Sequence, residues 1–308
     1  MRKQKERNSI VIIVAYVVLG IISFMCIAPV VLMAVASFTD NDVLNLYGYT
    51  YFPQKWSLEA YEFLIKQGTV ISKSFLNSIL VTFMGTALGI MVTVLLAYTI
   101  SRKELVGRKL IMLFVFFTML FNGGMVPTYL MYTQIFHIKN TMWALLFPHL
   151  LVNGFNVLLV RTFFNENIPE VLLEAARIDG AGEISIFRNV VLPISKPILA
   201  TIGLLVGVGY WNDWYNGLLF VTDVNYYTLQ NFLNKIMTDL QFLSQNMSAT
   251  SDVNSIIANV PSGTVRMAMA FIGALPVIIV FPFFVEQQRA YAFAHLQMSV
   301  KGFWRCLQ

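Results

Sequence analysis

Six long apolar stretches set the terms on which this chain folds. They run Ile10–Phe38, Phe75–Ile100, Leu110–Met131, Thr141–Phe164, Pro197–Phe220 and Met267–Val285. A helix needs roughly 20 apolar residues to cross a hydrocarbon core of about 30 Å, and each stretch is long enough. Segments of 36, 9, 9, 32 and 46 residues separate them. Composition removes the rival reading of a large soluble core. Of 308 residues, 57% are hydrophobic and 12% charged, with 25 Phe and 15 Met. A soluble domain carries roughly twice that charge, and a disordered chain is far less apolar. The expectation is an all-α membrane protein with six transmembrane helices. A transmembrane domain over 10–285 then lies between an N-terminal segment, 1–9, and a tail, 286–308. The basic start, Met1–Arg7, is shaped like a signal peptide. The apolar run continues to Phe38 with no small-residue cleavage site, so it reads as an uncleaved first span.

Orientation follows from Lys and Arg. The N-terminus, Ser101–Lys109, the segment 165–196 with Arg161, and the tail hold 15 basic residues, and the opposite side holds six. Both termini are therefore expected in the cytoplasm. The net charge of +5 is topological and carries no nucleic-acid reading. Cys26 and Cys306 lie 280 positions apart, and His137, His149 and His295 are scattered, so neither a disulfide framework nor a metal site is expected. No nucleophile–base constellation supports an enzyme.

The inner segment Asn165–Pro197 reads NENIPEVLLEAARIDGAGEISIFRNVVLPISKP. Pro169 suits the first turn of a helix. On a helix from Pro169 to Ile178, Val171, Leu172, Leu173, Ala175, Ala176 and Ile178 form a wide apolar arc. Glu170, Glu174 and Arg177 fall within about 60° of one another on the other side. Gly180 permits a turn. A second helix is predicted over Gly182–Val191, with Pro193 stopping it. A helix lying on a membrane usually shows Lys and Arg to anionic lipid. Here Glu166, Glu170, Glu174, Asp179 and Glu183 outnumber Arg177 and Arg188, which favours a protein partner.

Glu174-Ala175-Ala176, three residues, Gly180, nine residues, then Val190-x-Leu192-Pro193 resembles the EAA motif of the permease subunits of ABC-type importers. The usual pattern is E-A-A-x3-G-x9-I-x-L-P, and Val190 is the only departure. Asp179, Ala181, Phe187 and Pro197 look like the carbohydrate-import branch. FNGGMVPTYL at 121–130, VRTFF at 160–164 and GYWNDWYNGLL at 209–219 are similar to its oligosaccharide and polysaccharide subgroup. The resemblance implies a type I ABC importer permease fold with a cytoplasmic EAA coupling helix, in a bacterial plasma membrane. It implies that Glu174, Ala175, Ala176, Asp179 and Gly180 contact a separate ATPase. The implied partners are a second permease, giving a heterodimer, two ATPase subunits that bind ATP and Mg, and an extracellular solute-binding protein. No phosphate-binding G-x4-G-K-[S/T] occurs here, as expected if another polypeptide hydrolyses ATP.

Polar residues at membrane depth are candidates for the substrate path. Asp213 is the only acid inside a predicted span, within Trp211-Asn212-Asp213-Trp214-Tyr215-Asn216. On a helical wheel Trp211, Trp214 and Tyr215 share one side, and Asn212, Asp213 and Asn216 the other. Sugars use both chemistries, hydroxyls on amides and carboxylates, C–H faces on aromatics. The aromatics also suit an interfacial belt, and Asn212 and Asp213 inter-helix hydrogen bonding. Asn153 and Asn156 are three apart, hence on one helix face. Asn122, Gly123, Gly124 and Pro127 interrupt the third stretch. Gly85-x3-Gly89 and Gly203-x3-Gly207 read as sites of close helix packing. The alternatives are a non-sugar solute carried by the same family, and an ATP-independent channel or secondary transporter.

The tail departs from the family. Related permeases end in a short basic segment resembling YFxKGxxxGAxKG, whereas this chain gives VEQQRAYAFAHLQMSVKGFWRCLQ. An altered reading frame or an engineering scar near residue 285 is the expectation. Resequencing the native locus tests it, and an intact frame encoding this tail overturns it.

Overall fold

The computed structural model describes residues 2–66, 68–148, 150–245 and 263–280, with Pro282 and Glu286. The tail over 287–308 and His149 lie outside the described residues. In chain order the helices are α1 (Arg2–Ser37), α2 (Asn41–Tyr47), α3 (Glu59–Lys66), α4 (Gly68–Ser101), α5 (Arg108–Leu120) and α6 (Met125–Leu130). Next come α7 (Trp143–Leu146), α8 (Gly154–Asn167), α9 (Glu170–Ile178), α10 (Glu183–Ile186), α11 (Leu192–Ile194), α12 (Lys196–Trp211), α13 (Tyr215–Phe220) and α14 (Leu229–Gln245). The last is α15 (Gly263–Val280). Among the described residues there is no strand, only an isolated bridge between Thr39 and Trp56. The chain divides into two units, Met1–Ile71 with Leu233–Pro276, and Ser72–Phe232 with Val277–Gln308.

In the first unit α1 is apolar on every side, and Ile13, Tyr16, Phe24 and Met25 stay uncovered. A helix of that kind is a membrane span. Its Pro29 is tolerated because a spanning helix accommodates proline where a soluble one breaks. The segment after it is built rather than loose. Asp40 caps α2 by accepting from Asp42 N at 3.1 Å and pairs with Lys55 at 2.6 Å. Ser37 and Tyr61 hydroxyls meet at 2.8 Å, holding α3 to the end of α1. Gly263, at the start of α15, sits where a Cβ would lie 2.7 Å from Leu44 of α2.

In the second unit the two glycine pairs are each other's partners. A Cβ on Gly85 of α4 would lie 2.5 Å from the Tyr210 ring of α12, and one on Gly89 3.1 Å from Val206. Reciprocally, a Cβ on Gly203 would lie 3.3 Å from Ile90, and one on Gly207 3.3 Å from Thr86. Small residues let the backbones of α4 and α12 approach, as packing in lipid requires.

Six unbroken crossings are not what forms. Three described helices are long and apolar enough to cross a membrane on their own: Ile12–Ser37 of α1, then α4 and α15. The third expected span breaks at 121–124, and its halves Arg108–Leu120 and Met125–Ile135 are bent by 115°. The fourth, expected over Thr141–Phe164, is the short α7, non-helical residues at 147–148 and 150–153, then α8. The fifth, expected to Phe220, stops at Trp211 and restarts at Tyr215. At 13, 14 and 16 residues, α5, α8 and α12 are each about 20–24 Å long. Gly-Gly at 123–124 and Pro148 account for two of the breaks, since neither residue type sustains a helix interior. The second coupling-loop helix also differs. It passes through a π turn, Phe187–Val191, and Pro193 continues it instead of stopping it. The wide turn shifts the hydrogen-bond register, so Pro193 falls in the first turn of α11, where its missing N–H costs nothing. Ser195 then ends the segment, its hydroxyl donating to Val191 O at 2.6 Å, and the chain bends by 80° into α12.

Candidate functional site

Two features of the second unit are candidates for function, the segment from Pro169 to Ile194 and the three helix breaks. The first begins with α9, one residue after Pro169. Its end is a left-handed turn at Gly180, φ +79°. Ala181 N donates to Ala176 O and Gly180 N to Arg177 O, both at 3.0 Å, which is the Schellman closure of a helix. The roles of Ala176 and Gly180 therefore have a local cause. Gly is the residue without strain at that φ, and Ala176 lies under the returning chain.

One face of this segment is tied down. Arg177 grips Glu104 with two parallel bonds, Nη1–Oε1 at 2.6 Å and Nη2–Oε2 at 2.7 Å. Its Nη2 also reaches Glu183 Oε1 at 2.9 Å. The Tyr98 hydroxyl donates to Glu183 Oε2 at 2.7 Å, and the Arg102 guanidinium lies 4.1 Å above the Tyr98 ring. Lys103 pairs with Glu170 at 2.7 Å. The Arg177 fork holds the Glu104 carboxyl below the usual range, and Glu104 and Glu183 together push the Arg177 guanidinium up.

The opposite face is open and apolar. Val171 is 72% exposed, Ile178 86% and Ile184 84%. The Glu174 and Asp179 side chains are exposed beside them and make no ion pair or hydrogen bond among the described residues. Ala175 is exposed as well, with Ala176 half-buried. Apolar side chains shown together on a short turn make this face a candidate contact surface.

At the helix breaks, polar side chains replace the lost backbone bonds. Asn153 caps α8, accepting from Phe155 N at 2.9 Å and Asn156 N at 3.4 Å. Asp213 accepts from Asn216 N at 3.1 Å at the start of α13. Asn122 accepts from Gly124 N at 3.0 Å ahead of α6. Tyr210 donates to Leu146 O at 2.7 Å, and Asn216 Nδ2 to Pro148 O at 2.9 Å. Irregular backbone at membrane depth persists only when satisfied in this way or when it lines a wet cavity. The breaks adjoin one another. Asn216 joins 212–214 to 147–153, and a Cβ on Gly154 would lie 2.6 Å from Met119 near the end of α5.

The expected path residues thus divide. Asn156, Trp211 and Asn216 are buried, Trp211 edge-on to Phe75 at 5.9 Å. Asn153, Asn212, Trp214 and Tyr215 are exposed and Asp213 half-exposed, with the Trp214 and Tyr215 rings 6.1 Å apart. The helical wheel is replaced by this arrangement, because no continuous helix runs through 211–216. Asn153 likewise stands outside α8, so it shares no helix face with Asn156. Sequence reasoning missed Tyr98, Glu104 and Tyr210. The Arg102-Lys103-Glu104 triplet served there only as a topology marker.

No family model matches the chain. Individual relatives cover it almost completely. It is 34% identical over 296 residues to the polygalacturonan/rhamnogalacturonan transport system permease protein YtcP of Bacillus subtilis (strain 168), spanning 96% of this chain and 100% of the relative. Protein LplC of the same organism is 34% identical over 284 residues, 92% of each chain. The trehalose/maltose transport system permease protein MalG of Thermococcus litoralis is 31% identical over 224 residues, 72% of this chain and 78% of the relative. Among solved structures, a chain of a bacterial ABC transporter involved in the import of the acidic polysaccharide alginate matches with TM-score 0.76 and 27% identity, covering 91% of this chain and 96% of that one. This end-to-end similarity settles the family: the chain belongs to the permease subunits of carbohydrate ABC importers.

Proposed function

We propose that the chain is one of two permeases forming the path of an ATP-driven importer for oligo- or polysaccharides, with the second permease a different polypeptide. Both termini face the cytoplasm, and a solute-binding protein delivers the sugar from outside. ATP and Mg are bound by a separate ATPase pair, which docks on the open face formed by Val171, Glu174, Ala175, Ile178, Asp179 and Ile184. That exposed apolar face on a clamped turn is the observation that carries the reading. Ala176 and Gly180 shape it, and Glu174 and Asp179 supply charge at its rim. Reversing one of those charges, Glu174→Lys, is expected to abolish uptake while the protein inserts and accumulates normally. Unchanged uptake removes the docking assignment.

Sugar contact is proposed at the breaks. Asn212 and Asp213 offer polar groups and Trp214 and Tyr215 aromatic faces, with Asn153 on the adjoining break. Asn156, Asn216 and Trp211 support them from behind. Replacing both Asn212 and Asp213 by Ala is expected to impair uptake of long sugars, and normal uptake moves the site elsewhere. Co-purification in mild detergent, followed by screening the recovered binding protein against an oligosaccharide panel, tests the substrate class. A binding protein that takes only peptides or amino acids overturns it.

A further inference from the structure

Resting on that reading, we infer that Tyr98, Arg102, Lys103 and Glu104 form a latch that makes the coupling segment and the end of α4 move as one body. The bonds reach both limbs of the segment. Glu170 and Arg177 belong to α9, before the Gly180 turn, and Glu183 belongs to α10, after it. A single limb held this way would leave the turn free to swing about Gly180. Two limbs held to one short stretch of chain leave it no hinge.

The geometry is stiffer than that of scattered surface pairs. The Arg177–Glu104 contact is bidentate, which fixes orientation as well as distance. Glu183 receives Arg177 on one oxygen and Tyr98 on the other, so both of its oxygens are engaged. Tyr98 is itself wedged, its ring 4.9 Å from Phe187 and 6.5 Å from Phe164, with Arg102 stacked at 4.1 Å. Isolated exposed ion pairs contribute little to stability, but a network with fixed geometry resists deformation. Beyond the latch, α4 runs back as one 34-residue helix whose Gly85 and Gly89 receive α12. A push on the docking face therefore reaches the α4–α12 pair, and through Tyr210 and Leu146 the helix breaks, without passing a flexible joint. Tyr98, Arg102 and Glu104 are positioning residues in this scheme. They touch neither sugar nor nucleotide.

The test is a distance measurement in the whole importer, purified with its ATPase. Val106→Cys and Arg188→Cys are introduced into a chain carrying Cys26→Ser and Cys306→Ser, then spin-labelled. Spectra are taken without nucleotide and after trapping with Mg-ATP and vanadate. With the latch intact, the label separation is expected to be narrow and unchanged on trapping. In Glu104→Gln with Tyr98→Phe, the ATPase still co-purifies and hydrolyses ATP, but the separation broadens and shifts on trapping. Glu104→Asp, which keeps the charge, restores most of the narrow distribution. A separation that shifts in the intact protein, or one that stays fixed in the double variant, overturns the latch. Failure of any ATPase to co-purify with the intact protein instead overturns the importer reading itself.

Discussion

At the scale of single residues, three glycines and one ion pair concentrate the demands of the fold. Gly85 allows the Tyr210 ring to lie where a methyl would clash. Gly85→Ala is expected to cost about 1–3 kcal/mol by overpacking, read as a lowered melting temperature in detergent. Gly203→Ala, whose new Cβ would meet only the tip of Ile90 at 3.3 Å, is expected to cost less. Gly180 is held at φ +79° with open space around it, so Gly180→Ala meets backbone strain and no clash. The expected cost is about 1–2 kcal/mol, with faster hydrogen exchange at Ala181. The glycine pairs were legible as packing sites because spacing alone defines them. Their pairing was not, since nothing local in either helix names its partner. The Glu104–Arg177 bond has a pH signature. Its carboxyl is depressed on folding, so the stabilisation is full above the ordinary Glu value of roughly 4.3 and is lost as pH falls through that value and the depressed one. The melting difference between the natural chain and Glu104→Gln is expected to be present at neutral pH and to vanish on acidification.

At the scale of elements, the sequence shows length and polarity better than continuity. α1, α4 and α15 were readable because nothing interrupts their apolar runs. The break at 147–153 was not, because FPHLLV is nearly as apolar as a span and Pro148 was its single warning. The break at 212–214 was hidden by a helical wheel that suited the residues. What stabilises both breaks lies elsewhere in the chain, in Tyr210 and Asn216, and sequence distance conceals such pairing. Asn216→Ala is expected to remove one of the two bonds to Pro148 O, Leu150 N keeping the other, and to cost about 0.5–1.5 kcal/mol. The check is thermal melting of the purified permease, and an unchanged midpoint removes the anchoring role. Polar residues singled out as sugar contacts also cap these half-helices, as Asn153 and Asp213 do. On the proposed reading, structure and transport draw on the same side chains, so substitutions there need a folding control.

At the scale of the whole molecule, the family was legible because its motif is a spacing with a mechanical reason. Ala176, Gly180 and Ala181 close one helix end, and the short interval between them cannot vary without undoing the turn. The docking assignment is therefore expected to survive changes in cargo. Grafting the 212–216 stretch of a relative with a different sugar is predicted to alter uptake preference while leaving ATPase co-purification intact. Loss of co-purification in that chimera would show that cargo and coupling surfaces are not separable. The cargo itself was less legible, since a hydroxyl-binding amide and a helix cap are the same residue type.

The short helices also bear on how the chain is made. A ribosome delivers it from the N-terminus, and α1 and α4 are each long enough to be released into lipid alone. α5, α8 and α12 are too short to bridge the hydrocarbon individually, and the carbonyl of Leu146 waits for a donor, the Tyr210 hydroxyl, that is synthesised more than sixty residues later. The middle of the chain is therefore expected to leave the insertion machinery only once Tyr210 has emerged, which crosslinking of stalled nascent chains to that machinery would show as a batch release rather than a procession of single helices.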